Sequence, residues 1–202
     1  MNHLAHFFLS YPDTDLMTGG FLGDFVKGRL TGELPDGLEQ GIRLHRAIDA
    51  FTDQHPTVKQ SQLRFDAEFR RYAAIICDIA YDHLLAKNWH KFADVSLETF
   101  CNHAYRVVVA AERHLPETAL LSIRRMQSHG ALESYRQEKF VDLALTSISS
   151  RLSRPNPLAS GYAQFQNNKT DLQADFEQFM PLINRFVSDW MGHQTKPPQA
   201  WP

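Results

Sequence analysis

Apolar residues recur at helical spacing along almost the whole chain, and no run of useful length alternates as a strand would. In "LEQGIRLHRAIDAFTDQH", Leu38, Ile42, Leu44, Ile48 and Phe51 give one apolar helix face. His55-Pro56 stops that helix, because a residue before proline avoids helical angles. "LMTGGFLGDFVKG" reads as a short helix ending near Gly28, with Gly32, Pro35 and Gly37 marking the loop after it. Val58 to about Arg71 reads as helix, and "RRYAAIICDIAYDHLLAKNW", apolar on most faces, as a central buried one. Ser96 is the expected N-cap of "LETFCNHAYRVVVAAERHL", and Pro116 fits the first turn of a helix running to His129-Gly130. "ALESYRQEKFVDLALTSISSRL" follows, then a Pro-punctuated loop "RPNPLASGY". "DLQADFEQFMPLINRFVSDWM" is the last helix, with Pro181 as a potential kink. The expected architecture is an all-α, single-domain helical bundle over residues 1–192, with a loose tail over 193–202.

Composition narrows the function classes. Hydrophobic residues at 43% and charged residues at 22% are those of a globular chain. A formal net charge of -2, from 21 basic and 23 acidic residues, argues against bulk binding to nucleic acid or to an anionic membrane. Cys77 and Cys101 form neither a disulfide framework nor a C-x-x-C pair, so the reducing cytoplasm is the default compartment. "MNHLAHFFLS" lacks the basic start of a signal peptide, and "YAAIICDIAY" is far too short to cross a bilayer.

Histidines and aspartates gather in four segments. His45 and Asp49 are four apart, which puts them on one helix face. An imidazole nitrogen beside a hard carboxylate oxygen suits a divalent cation such as Mn, Fe, Zn or Mg. The same spacing also fits an intrahelical hydrogen bond on a wet face. Asp78 and Asp82, again four apart, sit with His83 in the apolar "CDIAYDHLL", where a carboxylate needs a partner. That partner is a cation, or one of Arg43, Arg46, Arg70 and Arg71. "NHLAH" carries His3 and His6. "GGFLGDFVKG" adds Asp24 and Lys27, but its glycines match neither phosphate-loop pattern. Arg151 and Arg154 at a helix end could contact phosphate or a partner.

Taken in order, "MNHLAH", "GDFVKG", "GIRLHRAIDAFTD" and the Asp78–Trp89 stretch resemble the acyl carrier protein phosphodiesterase family, a divergent branch of the HD-domain metal-dependent phosphohydrolases. The resemblance implies an HD-like helical fold and a divalent metal, foremost Mn2+, with Mg2+ or Fe2+ as alternatives. The implied reaction is hydrolysis of the phosphodiester that joins 4′-phosphopantetheine to a serine of holo-acyl carrier protein, a small acidic substrate. His45 is followed by Arg46 instead of the usual Asp, so Asp49 stands in for that carboxylate, His6 for the first His and Asp78 for the distant Asp. Asp24 and Asp82 complete the implied metal set. Lys27 or Arg46 would stabilise charge on phosphate oxygens, and His83 or a second water would protonate the leaving group. Arg64, Arg70, Arg71, Arg124, Arg125, Arg151 and Arg154 are the pool from which a docking patch would come. An HD-type enzyme acting on small nucleotides and a non-enzymatic helical adaptor are the competing assignments.

Overall fold

A computed structural model of the chain describes residues 1–192, so the expected tail over 193–202 lies outside the described residues. Among the described residues there is no strand, and the all-α expectation holds. The helices are α1 (His3–Ser10), α2 (Thr14–Leu22), α3 (Asp36–Gln54), α4 (Pro56–Leu63), α5 (Ala73–Lys87), α6 (Leu97–Ala110), α7 (Glu117–Ser128), α8 (Ala131–Ser134), α9 (Glu138–Arg151) and α10 (Gly161–Gly192). No helix among the described residues is long and apolar enough to cross a membrane.

Local chemistry sets most of these ends. Asp13 caps α2 by accepting from the backbone N–H groups of Asp15 and Leu16, and Ser96 caps α6 through the N–H of Thr99 at 3.1 Å. His55 ends α3 and caps α4, where Pro56 loses no hydrogen bond at the first helical position. Two expected helices are broken. The Val58–Arg71 stretch ends as α-helix at Leu63 and resumes as a 3-10 turn, Ala67–Tyr72. The break is fixed from outside, by Gln164 of α10, which accepts from the Asp66 N–H and donates to its carboxylate. Similarly, "ALESYRQEKF" divides into α8 and α9 around Tyr135–Gln137.

Helix α5 is the axis of the core. Of its 15 residues, 11 are buried, and it packs against α1, α4, α9 and α10. Ser61 of α4, Tyr81 of α5 and Asp175 of α10 share a buried hydrogen-bond network. Arg64 closes it with a two-pronged pair on Asp175 and a third contact to Asp171. Arg64 is therefore spent inside the fold and leaves the pool of docking arginines.

Helices α2 and α3 meet through glycines. A Cβ on Gly19 would stand 2.2 Å from the Leu38 carbonyl oxygen, and one on Gly41 would stand 2.7 Å from Gly19 Cα. Those neighbours are backbone, which cannot swing away. Gly19→Ala is expected to cost about 3 kcal/mol, the upper end for overpacking, and this is checked as a lower urea midpoint with an unchanged slope.

Candidate metal centre

Three helices deliver the centre. Asn2 caps α1 at the His3 N–H, and α1 presents His6 to the interior. The long α3 presents His45 and, one turn on, Asp49. The end of α2 passes over His45 at Gly23, where a Cβ would stand 2.3 Å from the ring. Only glycine lets the backbone lie there.

The imidazoles of His6 and His45 stack, with centroids 4.1 Å apart and planes at 21°. Each points its Nε2 at a different oxygen of Asp49, at 3.1 Å in both cases. The two rings are only 5–6% exposed, whereas the Asp49 side chain is 42% exposed, so the cluster opens to solvent on its carboxylate side. Burial opposes ionisation of Asp49, but the hydrogen bonds from His45 and His6 outweigh it and hold the carboxyl well below the usual range. Burial pushes the His6 imidazole down to about 4, against the pull of Asp49. At neutral pH this is an ionised Asp49 facing a neutral His6 imidazole. Both Nδ1 atoms are buried without a hydrogen-bond partner. Asp49 therefore supplies the hydrogen-bond partners that orient both rings.

These residues fit a divalent ion. Two metal–ligand bonds of about 2.1 Å meeting near the tetrahedral angle separate their outer atoms by about 3.4 Å. The observed 3.1 Å spacings approach that value. Ligand-type atoms of His6, His45 and Asp49 all lie within 4.8 Å of one another. A set of two nitrogens and an oxygen suits a transition metal better than calcium.

Other expected residues fall at different distances. Asp24 borders the cluster, 3.9 Å from His45 Nε2 and 3.4 Å from His3 Nδ1. His3 had drawn notice only as part of "NHLAH"; it is a further imidazole at the edge, with its side chain 25% exposed. Arg46 donates to the Val26 carbonyl at 2.9 Å and so holds the loop that follows Asp24. Lys27 is exposed on that loop.

Three further expected residues have partners of their own in the structure. Asp78 meets none of the four arginines suggested for it. Its partner is the Met1 amino group at 2.9 Å, and it is not one of the His6–His45–Asp49 group, although the Asp49 charge acts on it. Burial pushes the Asp78 carboxyl up, against the opposing pull of that amine. Asp82 is fully buried and accepts from the backbone N–H groups of Asn2, Leu4 and Ala5, the first turn of α1. It is a helix anchor and not a ligand of this cluster. Burial pushes its carboxyl up to about 7, opposed by the amine and those N–H groups. His83 lies on another face of α5, its Nδ1 donating to the Tyr135 carbonyl at 2.7 Å and its ring edge-on to Phe165.

The role of Asp82 makes a prediction. Asp82→Ala would orphan backbone donors in the turn that carries His6, and is expected to cost about 2–4 kcal/mol. Asp82→Asn, which keeps one acceptor, is expected to cost less; chemical denaturation of the two variants checks the order.

Fold and cluster together define a helical protein with a His–Asp centre of the metal-ligating type. The family model described as acyl carrier protein phosphodiesterase matches residues 1–183, and the chain belongs to that family. The acyl carrier protein phosphodiesterase of Serratia proteamaculans (strain 568) is 32% identical over 197 residues, covering 94% of this chain and 98% of its own. That of Yersinia enterocolitica is 33% identical over 197 residues with the same coverage, and that of Klebsiella pneumoniae (strain ATCC 700721 / MGH 78578) is 30% identical over 190 residues. No solved structure matches the chain.

Proposed function

We propose that the protein is a metal-dependent phosphodiesterase that releases 4′-phosphopantetheine from the serine of holo-acyl carrier protein, leaving apo-acyl carrier protein. Family membership supports the hydrolase class and the substrate. The observation that carries the metal dependence is the convergence of His6 from α1 with His45 and Asp49 from α3 on one solvent-facing point.

His6, His45 and Asp49 would hold the ion, with Asp24 beside them, and Mn2+ is the ion that the family resemblance implies. A bound divalent ion supplies Lewis acidity and makes water a nucleophile near neutral pH. The chain's own groups do the rest. Asp49 keeps both rings aimed at one point. Arg46 fixes the 23–35 loop through the Val26 carbonyl, and the exposed Lys27 on that loop would meet the phosphate oxygens. The leaving serine oxygen needs a proton, which His83 or a second water would supply. The centre is HD-like in ligand type, with the adjacent dyad replaced by a pair one helical turn apart. Cys77 and Cys101 are both free and buried, which suits a reducing cytoplasm.

Calorimetric titration of metal-free protein with Mn2+ tests the metal site. Saturable binding that disappears in His6→Ala is expected. A protein that binds no divalent ion yet hydrolyses the diester would refute the metal assignment, and turnover of nucleotides but not of holo-acyl carrier protein would refute the substrate.

A further inference from the structure

A second concavity lies away from the metal centre, toward the start of α3. It is a cleft of about 750 Å3 between the first turn of α2, the Pro35 end of the 23–35 loop, and the C-terminal half of α6 with the turn after it. Its apolar lining includes Leu38, Val107 and Ala110. Two guanidiniums, Arg106 and Arg113, line it as well, and Asp15 is the one carboxylate among the lining residues. Arg106 donates to the backbone carbonyl of Asn102 at 3.4 Å, and Arg113 to His114 Nε2 at 2.9 Å. Among the described residues neither has a carboxylate in ion-pair contact.

That contrasts with two of the arginines expected to recruit the substrate. Arg64 is paired with Asp171 and Asp175, and Arg124 with Glu112. Arg70, Arg71, Arg125, Arg151 and Arg154 are also exposed and outside any ion pair among the described residues, but none of them lines this cleft, where Arg106 and Arg113 stand beside an apolar floor. Leu38 and His45 are seven residues apart on α3, which is about 10 Å of helix. A protein ligand covering a standard footprint of about 800 Å2 would reach from one to the other.

We infer that the cleft between α2 and α6 is the docking site for the acidic carrier protein. An amphipathic acidic helix would lay apolar side chains on Leu38, Val107 and Ala110 and set carboxylates against Arg106 and Arg113. This rests on the proposed substrate. It separates recognition from chemistry, with the α6 arginines holding the protein while its prosthetic group is presented to the His–Asp cluster two turns along α3. The cleft's breadth and its mixed lining suit the side of a protein better than a small anion, which would need enclosing donors.

The experiment separates binding from turnover. Apo-acyl carrier protein, which has no bond to cleave, is captured on a sensor and the association rate constant measured at low salt for the parent protein and for the double variant Arg106→Glu, Arg113→Glu. Both positions are exposed, so folding should survive. The expected result is a fall of about 10–100-fold in association rate that shrinks at high salt, with hydrolysis of bis(p-nitrophenyl) phosphate unchanged. An association rate equal to the parent's, or an equal loss of activity on the small diester, overturns the docking site. So does binding of free 4′-phosphopantetheine or inorganic phosphate that needs the same two arginines, which would make the cleft a small-anion site. Turnover of holo-acyl carrier protein by the parent is scored separately, and its absence would sink the proposed substrate whatever the sensor shows.

Discussion

His45→Ala is expected to abolish hydrolysis of holo-acyl carrier protein while leaving the helical circular dichroism intact. His45 is 5% exposed, stacks on His6 and points its Nε2 at Asp49, so its removal takes away one ligand and one of the two contacts that fix another. A carboxylate that merely orients a ligand is worth about 10–100-fold in affinity or activity, and loss of the ligand itself should exceed that. His45→Asn keeps a polar side chain in the same space and separates ligand loss from the cavity left by alanine. Asp49→Asn makes the finer point. It removes the charge that both imidazoles share and sets an amide NH2 against one ring nitrogen. Activity should fall about 10–100-fold and be partly restored by excess Mn2+. If Asp49 were only a surface partner for a neighbouring arginine, worth about 0–1 kcal/mol, the variant would behave as the parent does.

Gly23→Ala is the second large effect. The backbone at Gly23 has ordinary helical angles, so alanine brings no conformational strain. The added methyl would instead meet His45 Cγ at 2.3 Å and Cδ2 at 2.4 Å. The ring is stacked on His6 and cannot retreat without leaving Asp49. A displacement of about 1 Å at a reacting centre can cost about 100-fold. The expected variant is folded, binds Mn2+ weakly and turns over at least about 100-fold more slowly. Parent-like turnover would mean that α2 shifts instead of the ring. Gly19→Ala, one turn earlier, should act on stability, because there the neighbour is backbone and not a site residue.

The glycines show where the sequence stops being informative. In "TGGFLGDF" they resemble a phosphate loop too weakly to argue from, yet their use is steric: Gly19 lets two helices touch and Gly23 makes room for the His45 ring. Helices were legible because their periodicity is local. The breaks at Arg64–Asp66 and at Tyr135–Gln137 were not, because contacts from elsewhere in the fold set them, such as Gln164 on Asp66. His45 and Asp49 could be paired from spacing alone, being one turn apart on one helix. Bringing His6 of α1 to the same point is a matter of packing, and only the family resemblance suggested it. The inference that a buried carboxylate needs a partner held for Asp82, while Asp78, 35% exposed, is paired as well. The partners are an amino group and a helix's first N–H groups, and residue type cannot tell those from a metal. Of the residues that the family's order of motifs named, the structure gathers His6, His45 and Asp49 within 4.8 Å of one another.

The central claim is that a divalent ion held by the His6–His45–Asp49 cluster drives cleavage of the carrier protein's phosphodiester. Metal-stripped protein should be incubated with holo-acyl carrier protein, with and without added Mn2+, and the intact mass of the carrier protein followed over time. The account predicts a decrease of one phosphopantetheinyl group that needs the parent protein and added Mn2+ together and does not occur with His45→Ala. An unchanged mass with parent protein and Mn2+, or equal conversion in the presence of a chelator, would contradict it.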